Sequence, residues 1–286
     1  MLLSALDLAR QNLSFPTDPP FTSQSLGSKI VLLHSSIESI SSSRQTDQVL
    51  LTSKLSPIVY GSPIALVIAS YGKKKPGLVA EELSNLLVSS PSEIDRQSDL
   101  ILFTRIAKSG WINFYLENKS TASWLETSLN SLRLISAADS LGSSALDSAS
   151  YQRDLFPAQY VHARCCSLLR LAQREKLSIA PNKSSIACWL DAENNFCLQE
   201  TIELLLLRQI FLVTDSFTQE SSNWRRLALN LSEILALFLS ECRFLGRVKQ
   251  KTPQKAIARL KLIALTRYWL GRILVEKLQV AAPTSL

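Results

Sequence analysis

Residues 156–170 read Phe156-Pro157-Ala158-Gln159-Tyr160-Val161-His162-Ala163-Arg164-Cys165-Cys166-Ser167-Leu168-Leu169-Arg170. On a helix, Tyr160 and Arg164 lie four apart and share a face, while His162 points elsewhere. An aromatic ring beside a guanidinium is what stacking on an unpaired base requires, and the arginine can also hold phosphate. The same pair also occurs on ordinary helix surfaces, so the surrounding chain has to decide between the two.

Downstream of this run everything reads helical. Residues 157–176, 196–214, 224–245 and 253–278 form four long stretches separated by polar breaks, with no strand pattern between them, which predicts an all-α bundle. Upstream, residues 136–150 (SAADSLGSSALDSAS) are small and polar and predict a linker. Residues 1–135 read as mixed α/β. A helical period runs over 30–40, a strand includes Val49-Leu50-Leu51, and Pro63 sits early in a helix that ends at Gly72 and Lys73-Lys74-Lys75-Pro76. An amphipathic helix follows over 78–88. Two β-like runs, 100–106 and 111–116, turn around Ser109-Gly110, and a helical period resumes over 121–135. The expected fold is thus an α+β domain over 1–135, a linker over 136–150 and an all-α helical bundle over 151–286.

The chain has 286 residues, of which 46% are hydrophobic and 19% charged, enough for a sizeable core. Eight Gly and 11 Pro exclude collagen-like sequence. The net charge is +7, and its distribution says more than its size. Between Arg243 and Lys277 stand ten basic residues (Arg243, Arg247, Lys249, Lys251, Lys255, Arg259, Lys261, Arg267, Arg272, Lys277) against the single acid Glu276, so this segment carries +9 and the other residues together −2. Such a segment suits a polyanion, held by sequence-independent and salt-screened attraction. On an ideal helix these charges do not form one stripe, and some are ordinary solvated charges.

The N-terminal stretch carries Asp7 and no basic leader, which does not read as a signal peptide, and the apolar run 202–213 is too short to span a bilayer. A cytoplasmic protein with no membrane partner is the expectation. Five cysteines (Cys165, Cys166, Cys188, Cys197, Cys242) form no C-x-x-C pair, and with only His34 and His162 available no zinc site assembles locally. Reduced thiols packed as small hydrophobes are expected. The scattered glycines offer no phosphate-cradling loop and no G-x-S-x-G elbow. Nothing selects a carboxylate pair for acid–base work. The residues themselves therefore predict no catalytic constellation, no metal and no cofactor.

The Y-x-H-A-R-x-x-S segment at 160–167 resembles the opening helix of the C-terminal anticodon-binding (DALR) domain of arginyl-tRNA synthetases. Residues 198–211, 227–245 (LALNLSEILALFLSECRFL) and 258–265 (ARLKLIAL) are similar to its later helices, in the same order. The first half resembles the N-terminal tRNA-elbow-binding domain of the same family. The stretches that match are Tyr60-Gly61-Ser62-Pro63, in place of a turn before a helix, then Lys75-Pro76 with Ala80-Glu81-Glu82, and then Ser109-Gly110-Trp111-Ile112-Asn113-Phe114-Tyr115-Leu116. The resemblance implies that Trp111 and Asn113 contact the D-loop of tRNA, and alternate residues of a strand do face one side. It also implies that the bundle meets the anticodon arm through Tyr160 and Arg164. The basic residues Arg243, Arg247, Lys249, Lys251, Lys255 and Arg259 would add phosphate attraction.

The family's catalytic domain, with its His-x-Gly-His and Lys-Met-Ser-Lys loops, finds no match here, since the sole Met is Met1 and the two His stand far apart. A non-catalytic relative is expected, with any ATP-binding attribute arising by homology only. Pro157 and Leu239 stand where the family has aromatics, and Gly61-Ser62 replaces an acidic turn. Two readings follow. In one, the chain binds tRNA, tRNA-Arg included. In the other, it is a protein-interaction or regulatory module that reuses the scaffold, with a catalytic partner as one form of that reading.

Overall fold

The computed structural model describes residues 50–51, 58–89, 102–139, 153–177, 185–217 and 223–285. The helix expected over 30–40 and residues 140–150 of the expected linker lie outside them. The chain divides into two compact units, Met1–Thr121 and Ala122–Leu286. The N-terminal part is α+β and the C-terminal part is a helical bundle.

The N-terminal unit contains a four-stranded antiparallel sheet, β1 (Leu50–Leu51), β2 (Val59–Ser62), β3 (Leu102–Ile106) and β4 (Ile112–Leu116), in the order β1-β2-β4-β3. Helices α1 (Ile64–Gly72) and α2 (Pro76–Ser89) follow β2 in the chain, before β3. One face of the sheet is apolar: Tyr60, Ile112, Phe114 and Leu116 are all buried. Helix α2 buries Val79, Ala80 and Leu83, a helical stripe, and Ser84 Oγ and Thr104 Oγ1 share a hydrogen bond of 2.8 Å with β3.

Val59–Ser62 is where reading and structure differ. The resemblance implies a turn at Tyr60-Gly61-Ser62-Pro63, yet Val59–Ser62 form a strand paired with β4 and β1. Glycine and serine have little intrinsic strand preference, and burial between two neighbours overrides that preference. Pro63 precedes α1 rather than lying within its first turn, and Ser62 Oγ accepts from the Ile64 N–H at 3.3 Å. Lys73 ends α1 in the left-handed region at φ 49°.

The β3–β4 hairpin turns at Gly110, whose φ is +89°. A Cβ built there would lie 2.6 Å from Pro76 Cβ, so only glycine lets the hairpin tip pack on the start of α2.

The second unit takes most of α3 (Asn118–Asp139), which includes residues 136–139 of the expected linker, together with α4 (Phe156–Arg174), α5 (Thr201–Ser216) and α6 (Trp224–Glu241). A short α7 (Arg247–Lys251) and α8 (Pro253–Arg272) complete it. Helix α8 packs on α4, α5 and α6, and Ala256, Ala258, Leu260, Leu262, Ile263, Leu265, Trp269 and Leu270 bury almost its whole circumference. A helix apolar all round belongs at the centre of a bundle. Trp124 of α3 stacks on Phe211 of α5 at 4.4 Å. After α8, a π-helical turn over Ile273–Lys277 leads to a tail that returns along α4. There Gln159 donates to Ala281 O at 2.9 Å, His162 Nδ1 meets Pro283 O at 2.9 Å, and Arg170 donates to Thr284 O at 3.0 Å.

Candidate nucleic-acid interface

In the N-terminal unit the site lies on the sheet face opposite the helices. Gly61 pairs with Asn113, Asn113 with Arg105, and Phe103 with Tyr115, so these side-chain positions share one face. Trp111, two residues before Asn113, joins them. A Cβ on Gly61 would stand 3.1 Å from Trp111 Cε3 and 3.3 Å from Asn113 Oδ1, which means the indole lies over bare backbone beside the amide. Phe103 and Tyr115 stack with centroids 4.9 Å apart and planes within 7°. The Arg105 guanidinium is 5.5 Å and 5.3 Å from their centroids. Trp111 and Asn113 are half-buried, while Phe103 and Arg105 are exposed. The face therefore offers planar rings, one amide and one planar cation.

In the C-terminal unit, Phe156, Tyr160 and Arg164 occupy one strip of α4. Phe156 is 49% and Tyr160 51% exposed, with ring centroids 6.3 Å apart, so two large aromatics stand in solvent together. One turn further, Arg164 and Leu168 line a cleft of about 300 Å³ closed by Leu239, Cys242, Arg243, Phe244, Leu245 and Gly246. Two guanidinium groups thus flank a mainly apolar recess. Burial pushes the Cys242 thiol up to about 11, which keeps it neutral there. Such a recess suits a planar base, with its phosphate held by the arginines.

His162 does not join Tyr160 and Arg164. It is buried against the tail and the Gly271 backbone, and burial holds its pKa below the ordinary histidine value, against the hydrogen bond to Pro283 O.

The basic residues separate into two groups. Arg243, Arg247 and Lys251 are exposed and, among the described residues, have no carboxylate partner. Lys249, Lys255, Arg259 and Lys261 meet carboxylates of the same unit. Lys249 Nζ contacts the carbonyl (2.8 Å) and carboxylate (3.0 Å) of Glu175. Lys255 pairs with Glu200 at 3.3 Å and stands 3.8 Å from Glu203. Arg259 is buried, and its Nε donates to Glu203 Oε1 at 2.6 Å. Lys261 is also buried, donating to Glu126 Oε2 at 2.6 Å, where the Trp189 indole N–H also donates at 3.1 Å. The segment that reads as +9 therefore places two of its charges inside the fold and pairs others with carboxylates at the surface.

Phe103, Arg105 and Phe156 belong to these surfaces and are absent from the sequence-based site. Alternation along 102–106 put Phe103 and Arg105 on one face, but only the β3–β4 register shows that Trp111 and Asn113 share it. All five cysteines are unbridged, and burial raises the thiols of Cys165, Cys188 and Cys197, that of Cys197 to about 11. Among the described residues, no group of three His, Cys, Asp or Glu could hold a metal, and no helix is long and apolar enough to cross a membrane.

No protein-family profile matches the chain, and no solved structure matches it significantly. Among curated proteins, it is 31% identical over 144 residues to an arginine–tRNA ligase of Moorella thermoacetica, covering 49% of this chain and 23% of the ligase. It is 32% identical over 132 residues to the arginine–tRNA ligase of a Synechococcus species, covering 44% of this chain and 21% of that ligase. The similarity relates the chain to arginyl-tRNA synthetases, and the chain spans less than a quarter of the length of these relatives.

Proposed function

We propose that this chain binds tRNA without aminoacylating it. The sheet face around Trp111 and Asn113 meets the elbow, and the Phe156–Tyr160–Arg164 strip with its cleft meets the anticodon arm. The observation that carries the reading is the convergence of Arg164 and Arg243 on one apolar cleft beside two exposed aromatics, in a chain similar to arginine–tRNA ligases. Guanidinium groups supply phosphate attraction, aromatic faces supply stacking, and together they form the usual equipment for unpaired loop nucleotides.

The test is a salt-titrated binding assay of the full chain with bulk tRNA and with purified tRNA-Arg. Log affinity should fall linearly with log salt. Arg164→Ala should lower that slope by about 1, whereas Trp111→Ala should weaken binding without changing it. No binding at low salt, or a slope near zero, overturns the proposal.

A second reading has its own support. Leu239 lines the cleft where the resemblance implies an aromatic, and Lys249, Lys255 and Arg259 are occupied by carboxylates. Both features favour a protein-interaction module built on the same scaffold, which would retain a binding partner in the variants that lose RNA.

A further inference from the structure

On the sheet face opposite the helices, Val59, Gly61 and Tyr115 are buried, but beyond Trp111 and Asn113 the positions of Phe103 and Arg105 are exposed. Four residues along β4 from Trp111, the Phe103–Tyr115 pair presents rings parallel to within 7°, with the Arg105 guanidinium within 5.5 Å of both. Four strand residues span about 13 Å, too far for one base to touch both Trp111 and Phe103. Phe103 remains 41% exposed although it already stacks on the buried Tyr115, and a ring left half in water on a sheet is available to a further ring. Arg105 sits between the two aromatic positions, directly opposite Asn113. Its guanidinium is a planar cation that can lie flat against a base as well as reach a phosphate. Within the paired strands this face carries one cation, Arg105, and the exposed Glu117 follows directly at the end of β4. A planar cation set between two aromatic positions favours a ligand that presents planar bases.

We infer that this face is a two-position platform for unpaired RNA bases. One base stacks on Trp111 beside the Asn113 amide. A second stacks on Phe103, with the Arg105 guanidinium lying flat against it. The inference rests on the tRNA-binding reading and adds to it a second stacking position and the residues that form it. A flexible loop with at least two splayed bases is the ligand it selects, and a fully paired stem is not.

The experiment compares the full chain with Phe103→Ala, Arg105→Lys and Trp111→Ala variants. The probes are a fluorescein-labelled tRNA transcript and a blunt RNA duplex of equal charge. Loss of stacking on one base should weaken tRNA affinity roughly ten-fold in Phe103→Ala. Arg105→Lys keeps the charge and loses the plane. It should weaken binding about as much while leaving the salt slope unchanged. This second variant keeps the test valid should Phe103→Ala disturb the hairpin. Duplex binding should not change in either variant.

If Trp111→Ala weakens tRNA binding while Phe103→Ala and Arg105→Lys do not, the second position is refuted and the tRNA-binding reading stands. If the unaltered chain binds no RNA, both fall. An equal loss on the duplex would also overturn the inference, since it would mark Arg105 as a general phosphate contact.

Discussion

The guanidinium of Arg259 donates from Nη1 to the carbonyl oxygen of Arg243 at 2.5 Å while its Nε holds Glu203 Oε1 at 2.6 Å. One buried cation on the central helix therefore fixes the loop that carries an exposed cation of the cleft. Glu203 in turn accepts from the backbone N–H groups of Gln199 and Glu200 at 2.8 and 2.9 Å, at the N-terminal end of α5, where the helix dipole favours a carboxylate. Arg259 thus serves the surface from inside.

Replacing Arg259 by Ala strands a buried carboxylate and frees the Arg243 carbonyl. The expected cost is about 3–5 kcal/mol, measured by urea unfolding followed by circular dichroism. An Arg259→Ala protein as stable as the parent would show that Glu203 is satisfied by its backbone donors and Lys255 alone.

A second internal pair joins Lys261 to Glu126, with the Trp189 indole donating to the same carboxylate oxygen. Lys261→Met alone should destabilise by about 3–5 kcal/mol, because the remaining charge stays buried. The double change Lys261→Met with Glu126→Leu should recover most of that loss. A double-mutant cycle in urea measures the coupling, and additive losses would show that the two groups do not act as a pair.

His162 links stability to pH. Burial lowers its folded pKa below the unfolded value of 6.5. Above that value both states are neutral and the stabilisation is complete. As pH falls through 6.5 toward the folded pKa, the unfolded chain takes up the proton first, so stability declines and then levels off. Thermal unfolding at several pH values should show this decline, and His162→Gln should remove its histidine component. An unchanged pH profile in the variant would contradict the assignment.

Two glycines should respond differently to the same substitution. Gly110→Ala forces a side chain onto a φ of +89° and against Pro76, so it should cost at least about 1–2 kcal/mol of stability. Gly61 lies in an extended strand, and its new methyl would press on the Trp111 ring at 3.1 Å. Gly61→Ala should leave the melting temperature nearly intact while shifting tryptophan emission and weakening tRNA binding. Equal effects of the two changes on stability would refute this distinction.

The helical periods over 157–176, 196–214, 224–245 and 253–278 are legible because helix spacing and polar breaks are local properties. Most of their residues form α4, α5, α6 and α8, the last ending in a π turn, while 196–200 precede α5, where Phe196 bridges Leu190, and 242–245 follow α6 outside any helix. The β3–β4 hairpin is legible for the same reason. Strand β2 is not, because Gly61 and Ser62 become strand through pairing with residues some fifty positions away along the chain. Tyr160 and Arg164 were readable as one helix face from their spacing, whereas Arg243 joins them only through packing.

What the amino-acid order determined by itself is therefore periodicity: which stretches are helical, where the hairpin turns, and that the basic residues gather near the C-terminus. It also carries the likeness to arginine–tRNA ligases. Only the tertiary structure decided which charges face water. Lys261 and Arg259 read as part of a cationic segment, yet they point inward because α8 is surrounded and carboxylates of α3 and α5 meet them there. A charge count is additive along a chain, but burial and pairing depend on what the other helices bring to the same place.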